Sequence, residues 1–464
     1  MNSSPLASSS AAAANSDLLD QSGLGDLAQA LVDAARRAGA DAADAVAVRG
    51  VSQGVEVRDG RVEESERSEG DDVGLRVFVG KRQAVVSTND VSGDGIARLA
   101  ERAVAMARVA PDDAYVGLAD PALLARDFPE LDLLDADMPA TSELERRALA
   151  AEAAALAVKG VSKSGGASAS CGVGGMVLVT STGFHGAYLR SSQSVSAMAI
   201  VGDGTGMERD YDFSSALHGA DLEPPEAVGR RAGERTVARA NPRKVSTCTA
   251  PVVFDPRVSG SLVGHLVGAA NGASVARKTS FLKDRLGEQL FDAGVSIIDD
   301  PLRMRGLRSQ AFDAEGVATR RQAIVDQGVL RTWLLDCATA RELGMATTGH
   351  AHRGVSSSPS PGAYNLHMAA GEVTPDDLMA DIKSGFYVTD LIGAGVNGVT
   401  GDYSRGASGF WIENGKPAYP VSEITIAGHL LAMFKSLRAA NDLEFRYGVN
   451  APTVRIEGLT IAGR

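Results

Sequence analysis

Cysteine is scarce in this chain: Cys171, Cys248 and Cys337 are the only three in 464 residues, odd in number and far apart. That pattern excludes a disulfide framework and a CxxC metal knuckle, and it points to a cytoplasmic protein with reduced thiols. No apolar run reaches the length of about 18 residues that a membrane-crossing helix needs. The opening stretch MNSSPLASSSAAAANSD lacks the basic start and apolar core of a signal peptide. Residues 1–16 therefore read as a disordered tail. Positive charge is not in surplus either. The formal net charge of −12 has the wrong sign for a protein that binds nucleic acid by neutralising phosphates. The local exception is Arg231, Arg235 and Arg239, spaced four apart on a predicted helix. With Glu234 breaking the charge and no aromatics between them, they are expected to form a solvated face.

Recognisable catalytic motifs are missing as well. A zinc peptidase needs two helix-borne histidines with a glutamate beside the first. The chain has seven histidines and none is followed by Glu. The nearest approach to a metal pair is His350-x-His352, which would share one face of a strand, although the flanking glycines favour a loop. There is no GxSxG nucleophile elbow, P-loop or dinucleotide fingerprint. Asp402, Glu413 and Glu423 are lone carboxylates near turns, the usual setting of surface groups. Local chemistry shows no self-sufficient active site, and no metal ligands are assigned to this chain.

What the chain does contain is organised in two parts. Helical spacing over Leu24–Ala38 is followed by period-two strands from about residue 44, with turn signals at Asp59-Gly60 and Gly80-Lys81. Alanine-rich helices near Gly93–Ala110 and Ser142–Lys159, a second β-run over about 167–214 and a helix near Pro225–Ala240 complete the first half. Composition changes after Asn241-Pro242. The expected fold class is therefore α+β with two domains: a mixed antiparallel-sheet domain with helices over 17–240, and a barrel-like antiparallel domain over 241–464.

The second half opens on its most unusual stretch. Asp255 and Pro256 cap a helix in which Gly260, Gly264, Gly268 and Gly272 recur every fourth residue along one ridge. Each costs about 1 kcal/mol of helix stability relative to Ala, which makes sense where another backbone or a ligand comes close. His265 lies on this helix, and the basic Arg277, Lys278, Lys283 and Arg285 follow it. Another segment, Gly398–Gly415, combines glycines with Asp402, Tyr403, Arg405 and the aromatic pair Phe410 and Trp411. It reads as a hairpin with its aromatics packed beneath, or as an edge strand that accepts an extended peptide through main-chain hydrogen bonds.

Six pieces in order carry a family resemblance: GHLVGAANGASVARKTSFLKDRLGEQ (264–289), AFDAEGV (311–317), LLDCATARELG (334–344), TTGHA (347–351), TGDYSRGASGFWIENG (400–415) and YPVSEITIAG (419–428). Through them the chain resembles the TldD/PmbA family, specifically its PmbA (TldE) branch. The resemblance implies a cytoplasmic heterodimer with a TldD-like paralogue that degrades or trims unstructured peptides, including peptide-antibiotic leaders and antitoxins. It also implies a zinc site in the TldD-like partner, built from HExxxH on the equivalent helix and a cysteine near the C-terminus. Carried onto this chain, those positions fail. Counting from His265 they hold Leu266 and Ala270; in the alternative register they hold Val263, Gly264 and Gly268, and no cysteine follows Cys337. The expected role is therefore a partner subunit without its own zinc. Its peptide channel would be shaped by His265, Gly264, Gly268, Arg277, Lys278, His350, Asp402, Tyr403, Arg405 and Trp411. A homodimer is possible in isolation, and no membrane or nucleic-acid partner is expected. The alternative is a non-enzymatic regulatory protein acting on DNA gyrase or a toxin–antitoxin system.

Overall fold

A computed structural model describes residues 21–463, so the disordered tail expected over 1–16 lies outside the described residues. The first half is built on one antiparallel sheet of six strands. These are β1 (Ala42–Arg58), β2 (Arg61–Val79), β3 (Arg82–Thr88), β4 (Lys163–Thr180), β5 (His185–Val201) and β6 (Glu208–Ala216), in the order β3-β2-β1-β4-β5-β6. The several short strands expected over 44–88 merge into three. The β1–β2 turn is Asp59-Gly60, both left-handed at φ 52° and 73°, a geometry whose twist matches that of the paired strands.

Four helices cover this sheet: α1 (Ser22–Arg37), α2 (Gly93–Val109), α3 (Thr141–Leu156) and α4 (Pro225–Ala238). The first two bury Leu31, Ala35, Leu99 and Ala103 against Val73, Leu75 and Val77. The other two bury Leu144, Ala148, Val228 and Ala232 against Val55, Ala169 and Val195. Each fully buried Leu or Val contributes about 1.5–3 kcal/mol relative to an exposed one.

The arginine stripe on α4 departs from expectation. Arg231 and Arg235 bind the buried Asp212 of β6 at 2.6 and 2.7 Å, and Arg239 reaches Asp210 at 3.4 Å. An alternating strand placed two carboxylates on the sheet face beneath the helix, and the guanidiniums neutralise them there. The stripe is a packed ion-pair seam, not a solvated face.

The second half is a closed ring of five strands: β7 (Cys248–Phe254), β14 (Ser384–Ile392), β15 (Asp402–Glu413), β16 (Lys416–His429) and β19 (Val454–Ala462). The sheet order is β16-β15-β14-β7-β19, and β19 pairs back onto β16 through Thr425–Ala427 and Thr460–Ala462. Closure removes both sheet edges, which is the reason such barrels are stable alone. One pairing in the ring, β7 with β14, is parallel.

Helix α5 (Pro256–Ala269) leaves the end of β7 directly, followed by α6 (Gly272–Ala276). A smaller five-stranded sheet packs alongside: β8 (Ile297–Asp299), β9 (Gln322–Asp326), β10 (Val329–Leu330), β13 (Leu366–Met368) and β18 (Val449–Asn450). The pair β11 (Ala351–His352) and β12 (Ser360–Pro361), the short helices α7 (Cys337–Leu343), α8 (Pro375–Met379) and α9 (Leu430–Ser436), and the two-residue β17 (Arg438–Ala439) complete it. Phe254, Leu266, Phe386, Ile426 and Phe434 share its core.

The halves meet at a buried ion cluster. Arg76 of β2 donates from Nε to Asp44 of β1 at 2.9 Å and lies 3.6 Å from Glu315, while Arg353 also binds Asp44. Burial alone would raise the Asp44 carboxyl, yet the charges of Arg353 and Arg76 hold it below the usual carboxylate range.

Candidate functional site

The site grows out of α5. The Asp255 carboxylate accepts from the Arg257 N–H at 2.9 Å, and Pro256 occupies the first helical position, where no N–H is needed. Leu262, Val263, Leu266 and Ala269 face the core. The glycine ridge divides into two uses. A Cβ on Gly260 would sit 3.1 Å from the Val449 carbonyl oxygen, and one on Gly272 would sit 2.8 Å from that of Leu334. These two glycines allow backbone to pass close by. A Cβ on Gly264 or Gly268 would meet nothing within 4 Å, so the C-terminal half of α5 presents bare backbone to open space; the expected ridge is cut short, because α5 ends at Ala269 and Gly272 opens α6 behind the Asn271 cap.

Beside that bare face stand His265 and two residues of β15. The rings of His265 and Tyr403 meet edge to face with centroids 6.0 Å apart. His265 Nε2 and the Tyr403 hydroxyl are both buried without a hydrogen-bond partner. Orphaned buried polar atoms are costly, about 1–3 kcal/mol each, and two in one place mark a site whose partner is a ligand or water. Arg405 projects from the same face of β15 as Tyr403, two residues on, and its Nε lies 3.4 Å from the Ile392 carbonyl oxygen. Burial first, then the Arg405 charge, pushes the His265 imidazolium down, so the ring is neutral at pH 7. Burial raises the Tyr403 phenol well above its ordinary range despite Arg405. The site thus offers a neutral imidazole, a neutral phenol and one fixed positive charge.

Past the end of α5 a cavity of about 470 Å³ is lined by Phe281, Lys283, Arg285, Thr400, His429 and Leu431, among others. Asp402 pairs across the ladder with His429 and accepts from the Thr400 hydroxyl at 2.6 Å. His429 Nδ1 accepts from the Leu431 N–H, which leaves Nε2–H to donate to the Thr400 carbonyl at 2.8 Å. Sequence reasoning missed His429 and Thr400. The available signal was a histidine at a strand-to-helix junction, a capping position.

The remaining expected site residues are dispersed. Arg277 and Lys278 are exposed just beyond α6, Lys278 with a left-handed φ of 59°. His350 is 1% exposed and held by Thr348 at 2.8 Å and Asp299 at 3.2 Å, so it is an interior histidine rather than a channel residue. The ring of its neighbour His352 lies tilted against Tyr364 with centroids 4.5 Å apart, and burial, then His350, pulls its pKa down to about 4. Trp411 is buried in the barrel core. The edge-strand reading of the 398–415 segment is overturned: β15 is paired with β14 on one side and β16 on the other, leaving no main-chain groups for a peptide.

Leu266 and Ala270 are fully buried and carry no ligating atom. Among the described residues no cluster of three or more His, Cys, Asp or Glu side chains is arranged to hold a metal. No described helix is long and apolar enough to cross a membrane.

Comparison with known proteins matches three family domains: PmbA/TldA metallopeptidase domain 1 over residues 43–107, the central domain over 134–240 and the C-terminal domain over 247–463. The chain is 38% identical to Metalloprotease PmbA of Escherichia coli O157:H7, covering 91% of this chain and 93% of that protein. It is also 38% identical to the Metalloprotease PmbA homolog of Haemophilus influenzae, covering 93% and 94%. The Metalloprotease TldD homolog of the same organism is 28% identical over 46% of this chain. A solved structure of a candidate modulator of DNA gyrase from Bacteroides thetaiotaomicron superposes with a TM-score of 0.87 at 29% identity, covering 95% of this chain and 98% of that one. TldE from Thermococcus kodakarensis shares the fold, with a TM-score of 0.84 at 19% identity, covering 94% and 100%. With three family domains matched in order across residues 43–463 and relatives named PmbA aligned over nine-tenths of its length, this chain belongs to the PmbA branch of the PmbA/TldD metallopeptidase family.

Proposed function

We propose that this chain is the PmbA-like (TldE-like) subunit of a heterodimeric zinc metallopeptidase that trims or degrades unstructured peptides such as antibiotic leaders and antitoxins. The metal would be held by a TldD-like partner, and this chain would bind and orient the substrate. The observation that carries the reading is the bare backbone at Gly264 and Gly268 beside the unpartnered His265 and Tyr403. An extended peptide laid along that face would bring main-chain N–H and C=O groups to polar atoms that otherwise have none. Arg405 would set its polarity. A folded protein presents no such free strand, so selectivity for unfolded chains follows from the shape.

The test is cleavage of a leader peptide by this chain alone, by the TldD-like partner alone and by the mixture, each with and without a chelator. Chelator-sensitive cleavage is expected from the mixture and none from this chain alone. EDTA-sensitive cleavage by this chain alone, or full activity of the partner without it, would overturn the proposal. A second reading, action on DNA gyrase, is favoured by the description of the Bacteroides relative. Affinity capture from lysate separates the two: recovery of gyrase in place of a TldD-like chain would favour the second.

A further inference from the structure

Arg405 is a half-buried cation without an anion. Arg231, Arg235 and Arg257 are half-buried too, and each holds a carboxylate at 2.6–2.9 Å. Arg405 forms no ion pair among the described residues, and its one hydrogen bond there is the 3.4 Å contact from Nε to the Ile392 carbonyl oxygen. Both terminal nitrogens of its guanidinium are unengaged.

Alternation along β15 fixes where that charge stands. Tyr403, Arg405 and Ala407 share one face of the strand, and Arg405 lies across the ladder from Ile426, which is fully buried in the ring's core. A charge drawn from water onto such a face is costly unless a counter-charge meets it. Next to it the Tyr403 hydroxyl, on a residue 1% exposed, and His265 Nε2 are both buried and unpartnered. Three groups able to donate hydrogen bonds therefore converge with no acceptor among them. Arg405 is felt at both neighbours: after burial, its charge is what lowers the His265 imidazolium and what partly offsets the rise of the Tyr403 phenol.

We propose that Arg405, Tyr403 and His265 form a subsite for a peptide carboxylate, carried by the chain terminus or by an Asp or Glu side chain. The inference rests on reading this face as a peptide site and adds the group recognised there. A main-chain carbonyl is neutral and does not call for a cation. A carboxylate brings one negative charge and two oxygens that a guanidinium fork can hold together, with lone pairs left for the phenol O–H and the imidazole N–H. The open space at Gly264 and Gly268 accommodates the chain that carries it. Arg405, the most accessible donor, meets the entering carboxylate first, and a shift of its flexible side chain opens the way to the deeper phenol and imidazole. A single unpaired cation in a protein of net charge −12 suits a singly charged group better than a polyanion.

The test is isothermal titration calorimetry of the full chain with N-acetylated Ala/Ser peptides in three forms: the free acid, the C-terminal amide, and the amide with one internal Glu. A carboxylate form is expected to bind at least tenfold tighter than the neutral amide, a difference of about 1.4 kcal/mol. Preference for the free acid alone assigns the subsite to the peptide terminus, and equal preference for the Glu peptide assigns it to carboxylates wherever they fall. Arg405→Gln is expected to abolish the preference and Tyr403→Phe to reduce it severalfold, with circular dichroism confirming that both fold. Lys159→Gln, the same loss of charge at an exposed position in the first half, should leave it intact. Equal affinity for the three peptides, no binding of any, or a preference that survives Arg405→Gln would overturn the proposal. The readout needs no partner subunit, so the two readings fail separately. A carboxylate preference in a chain that adds nothing to trimming would overturn the heterodimer reading alone, and trimming without the preference would overturn the subsite alone.

Discussion

Gly264 and Gly268 each leave a helix about 1 kcal/mol weaker than Ala would, and no neighbour occupies the space a side chain would need. Gly268→Ala is therefore expected to raise the stability of the isolated chain by about 1 kcal/mol in urea unfolding. Gly268→Leu should also fold, yet cut peptide trimming by the reconstituted pair severalfold, because its side chain would lie along the peptide's path. Tyr403→Phe removes an unpartnered buried hydroxyl, so stability should hold or rise by about 1 kcal/mol while trimming falls. His265 gives a pH signature. Its folded pKa lies below its ordinary 6.5, lowered by burial and then by Arg405, so its contribution to stability is present above pH 6.5 and lost as pH falls through the lower folded value. Proton NMR should show the ring titrating below pH 6.5, and Arg405→Gln should move the midpoint upward. Of these groups, the sequence showed the helix-borne His265 and its glycines, since their spacing is local. It did not separate Tyr403 from Trp411 or His265 from His350. The first pair are both aromatic and the second both histidine, and the deciding neighbour, Asp299 beside His350, is remote in the chain.

Helices were legible because their evidence lies within one segment. α2, α3, α4 and α5 fall within a few residues of their periodic patterns, and Asp255 caps as its type and position imply. Strand existence was equally legible, whereas strand partnership was not. The 398–415 segment looks like an edge because glycines and charges mark edges, yet β15 is interior to the ring, and its glycines serve close strand contact. A Cβ at Gly409 would lie 1.9 Å from the Tyr387 carbonyl oxygen. The arginines of α4 misled in the opposite direction, since the carboxylates that neutralise them sit on a strand earlier in the chain. Ring closure makes a prediction at this scale. Ile461, fully buried on β19 where it pairs with both β7 and β16, should cost about 2–5 kcal/mol when changed to Ala, read as a shift of the urea midpoint.

The two halves are joined by charge as well as by apolar contact. Asp44 answers to Arg76 from its own sheet and to Arg353 from the other half, all three nearly inaccessible to solvent. Asp44→Asn would leave two buried guanidiniums short of a partner, a loss of about 3–5 kcal/mol. Because the folded carboxyl titrates below its ordinary 3.8, this contribution is complete above that pH and disappears as pH falls through the lower folded value. Denaturant melts at a series of pH values should show that acid-side decline in the wild type and a flatter one in Asp44→Asn. The ring has a consequence in time. β7 and β19, which must touch, stand at opposite ends of the second half, so the loop between them has to be ordered before the last seam can form. The meander from β1 to β3 needs only its immediate successors. In pulse-labelled hydrogen exchange during refolding, amides of Ala42–Arg58 are expected to gain protection ahead of those of Val454–Ala462, leaving the barrel open as a late, exposed intermediate.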